Sequence, residues 1–98
     1  MRYKKDESGL VTPQGDQCEW IELSLESVRN GSAVVLVEGW TAKSRMEDPE
    51  VPANVGRRFF DIPYTPSMTI HETCAQVLTT NVQADTGEIY DFANAIPQ

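Results

Sequence analysis

The chain reads as an α+β domain: a small antiparallel sheet of four or five strands built on hairpins, with one helix packed on it. Three observations predict this. A strand-like alternation from Trp20 to Lys43 folds about Arg29-Asn30-Gly31, a second strand–turn–strand pattern surrounds Asp85-Thr86-Gly87, and one capped helical stretch follows Thr69. Ninety-eight residues, 40% hydrophobic and 23% charged, correspond to one globular domain.

Residues 1–17 are polar and balanced in charge, with Gly9, Pro13 and Gly15 around the short apolar pair Leu10-Val11. They read as an extended N-terminal arm, leaving 18–98 as the single α+β domain. The start has charges but no apolar run behind them, so it is not a secretory signal. The expected location is cytoplasmic on synthesis, and then the virion if the assembly reading given below holds. Cys18 and Cys74 are accordingly expected as thiols.

From Trp20 the pattern has the period of a half-buried strand: Ile21, Leu23 and Leu25 alternate with Glu22, Ser24 and Glu26. Ala33 to Val37 is apolar on both faces, as in a covered strand. Two registers compete. A two-residue Asn30-Gly31 loop pairs Leu23 with Glu38 and mixes the faces. A three-residue loop with Gly31 in the left-handed position pairs Leu25 with Val35, Leu23 with Val37 and Trp20 with Trp40. The second register sets Glu22 against Glu38, a repulsion of about 1 kcal/mol or less, whereas the first buries an unpaired carboxylate, which costs more. The second is therefore predicted. One hairpin face then builds the core, and the other carries Trp20, Val28, Val34, Leu36 and Trp40 among glutamates. Either the rest of the chain or another subunit must cover this set; self-coverage is expected for most of it, with Trp20 and Trp40 as the interface anchors.

Met46 to Gly56 reads as a loop, with Pro49, Pro52 and Gly56 and no period. Arg57 to Tyr64 reads as an edge strand, because Pro63 cannot donate to a ladder. Thr69 and Glu72 form a capping-box pattern for a helix over Ile70–Thr80, with Ile70, Cys74, Val77 and Leu78 on its apolar face. Val82 pairs with Tyr90 across the Asp85-Thr86-Gly87 turn, and Ala93 to Gln98 is a short tail.

Motifs for chemistry are weak. Asp85-Thr86-Gly87 is the triplet of aspartic proteases, but only eleven residues follow it and Glu88 stands where Ala or Ser is usual. His71 and Cys74 share a helical spacing, yet a nucleophilic cysteine needs a lowered pKa and Cys74 lies in an apolar pattern. His71 is the sole histidine, and no metal site or cofactor is expected. From Phe59 onward there is no Lys or Arg, and the net charge is −7, which argues against nucleic-acid binding. No segment approaches a membrane span of about 20 apolar residues. Arg57-Arg58-Phe59-Phe60 reads as a strand whose arginines face solvent or a neighbour's carboxylates.

The sequence therefore points to a non-enzymatic structural or assembly subunit of a larger complex, with a virus or phage particle component as the concrete form. Its expected partners are proteins, in a homo-oligomer or multi-subunit assembly, met through Trp20, Trp40, Leu36, Val34, Arg57 and Arg58. The alternative is a small acidic inhibitor or adaptor that docks on a basic protein surface.

Overall fold

In the computed structural model the described residues are 1–53 and 57–98. Seven strands are present among them: β1 (Arg2–Lys4), β2 (Trp20–Arg29), β3 (Ser32–Trp40), β4 (Arg58–Pro63), β5 (Val82–Gln83), β6 (Ile89–Tyr90) and β7 (Ile96–Pro97). Two short helices, α1 (Lys43–Met46) and α2 (Ile70–Ala75), complete the elements. The main sheet is antiparallel in the order β4-β3-β2-β1-β7, and β5 and β6 form a separate two-stranded sheet. The fold is α+β, as predicted.

The β2–β3 register carries the predicted pairs Trp20↔Trp40, Leu23↔Val37 and Leu25↔Val35. It reaches them by a different device. Pairing continues to Arg29↔Ser32, so Asn30-Gly31 is a two-residue tip, with Gly31 at φ +83°. The odd residue is absorbed at a bulge between Leu25 and Ser27. The two registers weighed from the sequence thus coexist in one hairpin. The tip keeps the short Asn-Gly turn, and the bulge at Glu26 returns Leu25, Leu23 and Ile21 to the core face.

Residues 1–17 are not a free arm. Arg2–Lys4 pairs with β2 on one side and β7 on the other, placing β1 inside the sheet. Tyr3, Ser8 and Leu10 are buried. The 8–18 segment closes on itself through Cys18 N–H to Leu10 O (2.7 Å) and Thr12 N–H to Asp16 O (2.9 Å). The buried Ser8 hydroxyl donates to Cys18 O at 2.6 Å. The predicted tail likewise supplies β7, with Gln98 N–H donating to Arg2 O.

The core lies on one face of the sheet, where Ile21, Leu23, Val35, Val37, Phe60 and Ile62 meet Leu10, Cys18, Cys74, Val77 and Phe92. Phe60, Tyr90 and Phe92 form an aromatic cluster, two edge-to-face contacts near 5.9 and 5.8 Å and one stack at 5.4 Å. The capping box at Thr69 and Glu72 is present with both hydrogen bonds. The helix ends at Ala75 rather than Thr80, and Ile70, expected on its buried face, is 64% exposed. Val82 pairs with Tyr90 as predicted.

Strand β4 is an edge, and two of its outward carbonyls are occupied. Tyr64 N–H donates to Gly31 O, so the even-numbered residues of β4 face β3 and the odd ones face outward. Phe59 O accepts from Asp85 N–H at 2.8 Å and Pro63 O from Gln76 Nε2 at 2.7 Å. Pro63 has no N–H to offer. This edge is poorly suited to pairing with another strand.

Candidate functional site

The second face of the main sheet is the candidate site. Side chains alternate across strands, so this face collects successive rows from paired positions. Lys4, Trp20 and Trp40 form one row. Arg2, Glu22 and Glu38 form the next, with Arg57 at its end, followed by Ser24, Leu36 and Phe59, and then Val34 and Asp61. The core face is closed by α2 and the β5–β6 hairpin. The second face is closed only in part, by α1 and residues 47–53.

That partial cover sorts the six residues expected to form an interface. Trp40 is 6% exposed and Leu36 5% exposed, so the chain itself encloses both. Trp40 donates from its indole nitrogen to Val51 O at 3.3 Å, which ties the proline-containing loop to the sheet, and Met46 is buried nearby. Trp20, Val34 and Arg58 are half-buried and Arg57 is exposed. Trp20 has two ammonium groups against its ring, Lys4 at 5.6 Å and Lys43 at 5.8 Å. Arg58 turns away from the second face. Its Nε–H is shared by Glu88 (2.8 Å) and the Tyr90 hydroxyl (2.9 Å), which pins the β5–β6 hairpin to β4. Asn54, Val55 and Gly56, the end of the loop expected over Met46–Gly56, lie outside the described residues.

The central row explains how Glu22 and Glu38 tolerate being directly opposite. Arg2 meets Glu22 at 2.8 Å, and Arg57 meets Glu38 at 3.8 Å. The order plus–minus–minus–plus across four positions sets two attractions against one repulsion, each of order 0.2–1 kcal/mol. In this row the two glutamates were legible from the register, and Arg57 as a strand arginine set to face solvent or carboxylates. Arg2 and Met46 gave no signal, because each joins the site through a segment that read as arm or loop.

Beside Trp40 the second face holds a cleft of about 340 Å³. Its floor is Arg2, Glu22, Glu38 and Trp40, and its wall is Met46, Asp48, Pro49 and Val51 to Ala53.

The sequence's chemical candidates do not converge. His71 is exposed while Cys74, three residues on, faces the core at 0% exposure. Burial pushes the Cys74 thiol up, and burial followed by the nearby Asp16 charge does the same for Cys18. Both are unbridged. Asp85 is exposed at its turn. Among the described residues there is no cluster of His, Cys, Asp and Glu fit for a metal ion, and no helix is long and apolar enough to cross a membrane.

Comparison of the chain with protein-family models, with curated proteins and with solved structures returned no match.

Proposed function

We propose that this protein is a non-enzymatic subunit of a multi-protein assembly, a virus or phage particle being the concrete case, and that it docks through the second face of the β2–β3 hairpin. The observation that carries this reading is the partial closure of that face. The chain covers Trp40 and Leu36 but leaves Trp20, Val34 and Phe59 half-buried around a charged row. A face with a half-buried aromatic residue, flanking aliphatic surface and an organised polar stripe has the make-up of a protein-binding patch. The high thiol pKa values and the separation of His71 from Cys74 weigh against nucleophilic chemistry at those residues.

A test is the mass of the native species by light scattering, with Val34→Lys as the variant. Val34 is half-buried on a strand, so a lysine there can reach solvent and keep the fold. The variant is expected to melt within a few degrees of the parent yet to lose the assembled species. A parent protein that stays strictly monomeric, alone and with its native partners present, contradicts the proposal.

The acidic adaptor reading retains one specific observation. The layer formed by α2 and the β5–β6 hairpin carries Glu72, Asp85, Glu88 and Asp91, with no Lys or Arg after Arg58. Salt separates the two readings: binding through that layer collapses at high ionic strength, whereas binding centred on Trp20 and Val34 largely persists.

A further inference from the structure

The cleft beside Trp40 carries more carboxylate than its own arginine neutralises. Arg2 holds Glu22 in a short charge-assisted contact at 2.8 Å. Glu38, directly opposite, has Arg57 at 3.8 Å, and Arg57 is 63% exposed and outside the cleft lining. Asp48 on the facing wall adds a third carboxylate, one oxygen of which accepts from Glu50 N–H at 3.0 Å. Lys43 lies near Trp20, in the neighbouring row. The lining therefore holds three carboxylates and one guanidinium, against the apolar surfaces of Trp40, Met46 and Val51. A cation on a long apolar stem matches both parts, its stem on the wall and its head on the acids.

We propose that this cleft receives an arginine side chain from a basic segment of a partner protein, with the guanidinium between Glu38 and Asp48. The proposal rests on the reading of the second face as a docking surface and names the chemistry of its partner. Arginine fits better than lysine because its planar fork can serve two carboxylates at once. Charge complementarity also selects against a second copy of this chain, whose net charge is −7.

The test is a two-dimensional NMR titration of the whole chain with N-acetyl-arginine amide, and with the lysine equivalent, at low salt. The expected result is a saturable shift of the Trp40 indole N–H and of backbone amides 46–51. The affinity should be on the order of millimolar, as befits a ligand of this size, and the lysine probe should bind more weakly. Glu38→Gln should weaken arginine binding about five- to tenfold, the weight of one charge-assisted contact. Arg57→Ala should strengthen it about two- to fivefold, because it removes the competing cation from Glu38. Both variants should melt within a few degrees of the parent. An unmoved Trp40 indole overturns the proposal, as do shifts confined to Glu72, Asp85 and Asp91, equal response to both probes, or an affinity indifferent to both substitutions. An assembled species that forms with an arginine-blind cleft refutes this inference alone. An arginine-binding cleft on a protein that never assembles refutes the proposed function instead.

Discussion

Gly39→Ala tests the packing that holds the N-terminal segment against the central hairpin. Gly39 lies on the core face of β3, opposite Ile21. Its backbone is ordinary extended strand, so the cost of a side chain is one of space rather than conformation. An added Cβ would stand 2.9 Å from the Cys18 Cβ and 3.3 Å from Leu10 Cδ1. Neither neighbour gives easily: Cys18 is fixed by its N–H to Leu10 O at 2.7 Å, and both side chains are buried. Overpacking of this kind costs about 1–3 kcal/mol, which for a domain of this size lowers the melting temperature by roughly 4–20 °C. Thermal and urea unfolding, followed by circular dichroism, provide the assay. Cys18→Ala should not rescue the variant, because the alanine keeps the clashing Cβ, whereas Cys18→Gly should restore part of the loss through a favourable coupling of about 0.5–3 kcal/mol. A Gly39→Ala protein within about 0.5 kcal/mol of the parent, the usual range for an uneventful substitution, would refute the reasoning.

In single-tryptophan variants, Trp20 should be quenched more by iodide than by caesium, because Lys4 and Lys43 flank its ring, while Trp40, enclosed and bonded to Val51 O, should resist both ions; equal quenching contradicts the placement. Thr69→Ala should cost about 1 kcal/mol by removing the cap of α2, visible as a lower urea midpoint without a change in slope. Burial raises the thiol pKa of Cys18 and Cys74 above the ordinary value of 9.0. Their unfolded forms therefore release protons first, so stability present below pH 9 should decline as pH rises beyond it, and both thiols should react slowly with a disulfide reagent at pH 7 until the chain unfolds. The carboxylates of Glu72 and Glu88 are held below their ordinary 4.5, the first chiefly by hydrogen bonds with Thr69 and the second chiefly by Thr86. Their contribution is present above pH 4.5 and should be lost as pH falls through the lowered folded values.

The parts of the fold that were legible in the sequence are those fixed by local pattern. The alternation of Ile21, Leu23 and Leu25 against Glu22, together with the cost of burying Glu38, was enough to select the pairs later found. It did not reveal the bulge at Glu26, because a bulge and a longer loop shift register by the same one residue. Strands β1 and β7 were illegible for a different reason. Arg2-Tyr3-Lys4 and Ile96-Pro97 are too short to show a period, and they become strands only by pairing with each other and with β2. The helix was visible from its cap, but its length was not. Ile70, the first helical residue, points into solvent, so the apolar spacing that extended the prediction began on an exposed side chain. At the candidate site, Trp20 and Val34 were found by their place in the register, whereas the burial of Trp40 depended on a loop whose sequence carries no period.

The solvent exposure of Trp20, Val34 and Phe59 in the native assembled state decides whether the second face is the docking surface. Hydroxyl-radical footprinting of the isolated subunit and of its assembled form measures this directly. Protection of these three residues on assembly, with Ile70 and Ile89 labelled equally in both states, is the predicted result. Unchanged labelling of Trp20, Val34 and Phe59 in a species that light scattering shows to be assembled would contradict it.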